Sequence, residues 1–289
     1  MKKIKYFSLL SIIVLTLFTT GCKQDDMEDI DIAVTNYPNE YIVEKLYGSH
    51  ANIESIYPDG VTISNYKVTN KQKKDYSKKG LFVYNGLVEQ ERSLAVDLLD
   101  LNSNLKIIDT AYVLEEEYSS EELWLFPSSL LMMAKNVQMG LNEYVTNTYL
   151  KKEINSKYES LKVNLSELDA DYRVAVNDTK DKTIVVNESN LKYLEKFGLT
   201  VIVLDDEASD KTIDEVKDLI DNGNISYIYN FNGDSLSDNS KNILDEYENV
   251  KEVKLHRIDN LTDKEREDKK DYMDLMNDNL TLLKQELYQ

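Results

Sequence analysis

The chain has 289 residues, enough for one large domain or two lobes with real cores, and 42% apolar residues exclude a disordered chain. Its formal net charge of −19 opposes nucleic-acid backbones and anionic lipid, and no basic stripe marks a nucleic-acid footprint. A single cysteine excludes an internal disulfide and a cysteine metal cage.

Lys2, Lys3 and Lys5 form a basic start, and Tyr6 to Phe18 is an apolar run. That run is shorter than the roughly 20 residues a membrane span needs, so it reads as a secretory signal. Thr19-Thr20-Gly21-Cys22 follows and resembles a bacterial lipobox, with Thr19 where leucine is usual. We therefore expect residues 1–21 to be a lipoprotein signal peptide, removed before a lipidated Cys22. Cleavage would remove three lysines and take the formal charge from −19 to −22. Residues 22–30 are then expected to be a flexible tether, holding the protein outside the cytoplasm on the cell membrane.

Elements follow in a regular rhythm. "DIAVTN" (Asp31 to Asn36) reads as a strand, "YIVEKLYG" as a helix ending at Gly48, and "NIESIYP" as a strand stopped by Pro58. "GLFVYNG" is a continuous apolar run between glycines, the pattern of a buried parallel strand. "LVEQERSLAVDLLDL" is an amphipathic helix and "NLKIIDT" a strand. The rhythm stops after Pro127. Ser128 to about Leu150 reads as one helix, with Gly140 a weak point. Ile154, Tyr158, Leu161, Leu165, Leu168 and Tyr172 then recur at spacings of four and three. They form one stripe on a helix of roughly 25 residues, about 38 Å long. Strands and helices resume with "KTIVVNE", "SNLKYLEKFG", "LTVIVLD", "KTIDEVKDLIDNG", "ISYIYNF", "NSKNILDEYENV" and "VKEVKLH", and a long amphipathic helix closes the chain.

Alternation of strand and helix predicts an α/β fold with parallel sheets. We expect two lobes, each with a mostly parallel sheet of about four strands flanked by helices. One long rigid helix joins them. The boundaries are an N-terminal lobe over 31–150, a linking helix over 151–177 and a C-terminal lobe over 178–289. In open parallel sheets ligands bind beyond the carboxyl ends of the strands, so facing strand-end loops would form the cleft.

Five stretches in order resemble one family: "IAVTNYPNEYIVEKLYG", "YKVTNKQKKDYSKKGLFVYNGL", "NLKIIDT", "LDADYRVAVNDTKDKTIVV" and "LHRIDNLTDKEREDKKDYMDLMNDNLTLLKQEL". The family is that of the metal-binding lipoproteins of bacterial zinc and manganese ABC importers, solute-binding protein family 9. The resemblance implies two lobes linked by a rigid helix with a divalent metal between them, zinc or manganese. It also implies delivery to an ABC transporter permease by a protein expected to be a monomer.

The resemblance further implies four ligand positions. A family histidine ahead of a tyrosine aligns with Ser64, ahead of Tyr66. "SEELWLFP" matches a histidine-x-Trp-Leu-x-Pro pattern and puts Glu122 at the histidine, with Trp124, Leu125 and Pro127 in register. The third position falls on Glu188, with Asn187 as the fallback, and the fourth on Asp259. Tyr66 and Trp124 are expected to pack the cleft wall. His50 and His256, the two histidines of the chain, match no ligand position and are expected to be structural or solvent-facing. The chain therefore reads as a divergent member lacking the ligand histidines. Three carboxylates and a hydroxyl are hard oxygen donors, which suit manganese, magnesium or calcium better than zinc.

No Ser/His/Asp or Cys/His constellation, phosphate-cradling glycine loop or HExxH is present, so no enzyme is expected. The alternative is a divergent paralogue without metal, acting as a surface interaction or adhesion-type lipoprotein or carrying another solute.

Overall fold

The structure is a computed structural model that describes residues 25–61, 63, 66–114 and 123–288. Cys22, Ser64 and Glu122 lie outside the described residues.

The first lobe contains β1 (Ile30–Val34), α1 (Tyr37–Tyr47), β2 (Ala51–Ser55), α2 (Asn70–Tyr76), β3 (Leu81–Tyr84), α3 (Glu89–Leu101) and β4 (Lys106–Asp109). All its strand pairs are parallel, in the order β2-β1-β3-β4. Every residue of β3 is buried, as expected of a strand covered on both faces. α4 (Pro127–Tyr144) and α5 (Thr148–Asn177) follow. The second lobe contains β5 (Thr183–Val186), a 3₁₀ stretch (Ser189–Phe197), β6 (Thr200–Val203), α6 (Asp210–Asp221), β7 (Tyr227–Phe231), α7 (Asp238–Glu246), β8 (Lys251–Leu255), α8 (Asp263–Glu267) and α9 (Tyr272–Leu287). Its sheet repeats the order of the first, β6-β5-β7-β8, again all parallel. In each sheet the chain switches direction beside the first strand, which opens a crevice at the carboxyl edge.

The stripe Ile154, Tyr158, Leu161, Leu165, Leu168, Tyr172 is buried along α5 as the periodicity requires. At 30 residues α5 is about 45 Å long. It is more than a connector, because one continuous core runs from Ile32 and Val34 past Leu165 to Val186 and Tyr229. Gly140 is no weak point either: a Cβ there would stand 2.6 Å from Cγ1 of Ile108, so the glycine lets α4 lie close against β4.

Two expectations are corrected here. The helix read from Ser128 to Leu150 is broken at residues 145–147, and residues 25–29 are not a free tether. One carboxylate ties the two places together. Asp25, 5% exposed, accepts from Thr146 N–H (2.7 Å), the Thr146 hydroxyl (2.8 Å) and Asn147 N–H (2.5 Å). Its other oxygen accepts from Met27 N–H (3.0 Å), and Met27 is fully buried. Asn147 then caps α5 by accepting from Tyr149 and Leu150 N–H. Burial works to raise the Asp25 carboxyl, but these donors together hold it below its usual value. Asp25→Ala should therefore cost about 2 kcal/mol, since hydrogen bonds to a charged group are lost and three N–H donors are orphaned. Urea unfolding of the variant checks this. The carboxylate's contribution is present above about pH 4 and is lost as pH falls through its lowered folded value.

Candidate functional site

The lobes meet through fixed contacts on one side. The Arg266 guanidinium binds the Glu40 carboxylate (2.6 and 3.2 Å) and the Asp59 carboxylate (2.8 Å to each oxygen). Tyr41 packs on Tyr272 at 5.3 Å, and Gly60 N–H donates to the Leu261 carbonyl (2.8 Å). Beside this seam lies a cavity of about 810 Å³. Its first wall is Asn36, Gly60, Val61, the start of α3 and Trp124; its second is residues 232–234, 256–262, Glu265 and Leu275. These are strand-end loops of both sheets, the place expected for a ligand.

Trp124 packs the cleft wall as expected. It is 3% exposed, its Nε1 donates to the Arg257 carbonyl (2.8 Å), and its own carbonyl accepts from the Tyr272 hydroxyl (2.5 Å). The Asp259 carbonyl accepts from Tyr37 N–H (3.0 Å). Between these two clamps Ile258 adopts φ +60, a left-handed conformation that a β-branched residue rarely takes. The clamps from the first lobe thus hold the loop that carries Asp259.

Asp259 borders the cavity, half-buried, with Oδ1 accepting from Asn260 N–H (2.9 Å). Glu188 does not border it. That residue follows β5 at the start of the 3₁₀ stretch, where Oε1 accepts from Asn187 Nδ2 (3.4 Å). Asn187 is buried and spent on β7 and the start of α7: Nδ2 donates to Asn230 Oδ1 (3.2 Å) and Oδ1 accepts from Ser237 N–H (2.8 Å). Tyr66 packs inside the first lobe, edge-on to Tyr57 at 5.7 Å, and does not border the cavity, which corrects the expectation that it packs the cleft wall. Among the described residues no three of His, Cys, Asp and Glu are grouped to hold a metal.

The cavity is acidic. Glu89, Glu91, Asp234, Asp259 and Glu265 border it, against Arg257 and His256. Arg257 is ion-paired with Asp234 and lies over the Phe231 ring at 4.7 Å. Glu91, 1% exposed, accepts from the Thr35 hydroxyl (2.5 Å) and Asn85 N–H (2.7 Å). Burial outweighs those donors and pushes its carboxyl up to about 7. His50 does not border the cavity and is paired with Glu153 at 3.0 Å. His256, unlike His50, borders the cavity.

Residues 32–286 match the family ZnuA, zinc-uptake complex component A, periplasmic. The chain belongs to the ZnuA family. It is 25% identical over 313 residues to the zinc-binding lipoprotein AdcA of Streptococcus pneumoniae, covering 99% of this chain and 61% of AdcA. It thus spans less than two thirds of that relative's length. It is 22% identical over 294 residues to the high-affinity zinc uptake system protein ZnuA of Bacillus subtilis, covering 93% of this chain and 91% of that one. The fold is shared with the Zn(II)-bound ZnuA-like domain of Streptococcus pneumoniae AdcA (TM-score 0.72, 23% identity, 90% of this chain and 100% of that one). It is also shared with the laminin-binding protein Lmb of Streptococcus agalactiae, a bifunctional protein with adhesin and metal transporting activity (TM-score 0.72, 18% identity, 89% and 99% covered). ZnuA-family membership accounts for the paired sheets and the long helix. No helix among the described residues is long and apolar enough to cross a membrane.

Proposed function

We propose that this ZnuA-family chain is the extracytoplasmic substrate-binding lipoprotein of a metal ABC importer, anchored through Cys22. It takes a divalent cation into the inter-lobe cleft, hands it to a permease as a monomer, and performs no catalysis. The observation that carries this reading is the acidic cavity where the carboxyl edges of both sheets meet. Such a field concentrates cations. The proposed ligand set is Asp259 with Glu122, Glu188 and Ser64. Asp259 supports it most directly, since it borders the cavity and Glu188 does not.

A cation that binds only the folded state at a hundredfold its Kd adds about 2.7 kcal/mol of stability. Zinc or manganese chloride should therefore raise the melting temperature of the metal-free protein, and Asp259→Ala should lower the affinity at least tenfold. No shift with any divalent cation at millimolar concentration sinks the reading. The alternative, a metal-free surface interaction protein, is favoured by the lack of a three-donor group among the described residues. It requires Asp259→Ala and Glu188→Ala to leave metal content unchanged.

A further inference from the structure

His256 directly follows β8, and its backbone is clamped on both sides by one buried amide. Its N–H donates to Asn279 Oδ1 (2.7 Å), and its carbonyl accepts from Asn279 Nδ2 (2.9 Å). The ring is therefore carried on rigid structure. Nδ1 lies 2.7 Å from Glu265 Oε1. The other Glu265 oxygen accepts from Thr262 N–H (2.8 Å) and the Thr262 hydroxyl (2.9 Å), completing the capping box of α8. Burial works to raise the Glu265 carboxyl, but His256 and Thr262 together hold it below its usual value.

An ionised carboxylate only accepts hydrogen bonds, so in the neutral imidazole the proton sits on Nδ1 and the lone pair on Nε2. His256 and Glu265 both border the cleft cavity, and Nε2 makes no hydrogen bond to any described residue. The imidazole is 25% exposed, open enough to be reached from the cavity. A carboxylate holding one ring nitrogen while the other meets a cation is the arrangement that fixes tautomer and orientation and raises ligand basicity.

We propose that His256 Nε2 is a nitrogen ligand for the cation in the cleft, with Glu265 as its positioning residue. It supplies one donor beside Asp259 rather than a complete cage, and it gives zinc the nitrogen it favours over an all-oxygen set. This rests on the transport reading above.

Because the chain has two histidines, nitrogen NMR of the ¹⁵N-histidine-labelled protein resolves the question directly. Wherever the His256 ring of the metal-free protein is neutral, it should be the Nδ1–H tautomer. Zinc chloride should move the His256 Nε2 resonance and leave His50 in place. Glu265→Gln should weaken zinc binding on the order of 10–100-fold and manganese binding much less, while His50→Gln changes neither. A raised melting temperature with an unmoved His256 ring overturns the proposal and leaves the transport reading standing. Zinc that produces neither effect overturns both for that metal.

Discussion

Replacing Trp124 by alanine is expected to destabilise the protein by about 4 kcal/mol, the usual cost of emptying a buried large aromatic site. The side chain is 3% exposed and belongs to the core that runs through both lobes. It also donates to the Arg257 carbonyl on the opposite wall of the cleft. The conservative change separates these contributions. Trp124→Phe keeps most of the packing, loses the Nε1 hydrogen bond and should cost about 1 kcal/mol from that bond. Urea unfolding followed by circular dichroism measures both, since no other tryptophan remains to report by fluorescence. Equal losses in the two variants would mean that the hydrogen bond, not the packing, holds the lobes there. The same bond fixes the loop carrying Ile258 and Asp259. Trp124→Phe should therefore weaken cation binding as well, although the indole is not proposed as a ligand.

The second large effect is a pH dependence set by Glu91. Its folded value of about 7 lies above its ordinary 4.5, so the folded state binds more protons between those two values. Stability then falls as pH rises through that window. The contribution is complete below about pH 4.5 and lost above about pH 7, with an upper limit of about 3 kcal/mol. Glu91→Gln keeps an oxygen for Thr35 and Asn85 but does not titrate. In metal-free protein it should match the wild type near pH 4.5 and exceed it by up to about 3 kcal/mol at pH 8. Thermal unfolding of both proteins across that range tests this. A gap that is constant with pH would show that Glu91 ionises in the folded state as it does in the unfolded chain.

Much of the fold is legible in the sequence because its signals are short-range. The buried run "LFVY" fixes β3, and the stripe from Ile154 to Tyr172 fixes α5. The break between α4 and α5 is not legible. No glycine or proline marks it; Asn147 caps α5 locally, and Asp25 reaches Thr146 across 121 residues of sequence to bond the broken turn. The same carboxylate lies in a stretch, "KQDDMEDID", whose polarity alone suggests a solvated tether.

The site divides in the same way. Asp259, which the family resemblance puts at the fourth position through "LHRIDNLT", borders the cavity, since a loop after the last strand of a parallel sheet stands at its carboxyl edge. Glu188 also stands at a strand end, yet strand position does not settle where a side chain points. Asn187 ties this segment to Asn230 and Ser237, and Glu188 stays outside the cavity lining. His256 matches no ligand position in the family pattern. "TDKE" announces a capping box, but nothing local says that the box's Glu265 turns back to hold an imidazole nine residues earlier.

Two parallel sheets and the long helix can be read from the sequence alone, since hydrophobic periodicity, caps and turn residues act within a few residues. Only the tertiary structure decided which polar groups share the cleft. Trp124 meeting Arg257, Glu91 buried beneath Thr35 and Asn85, and Glu265 orienting His256 all depend on hydrogen bonds between segments whose approach no local pattern encodes.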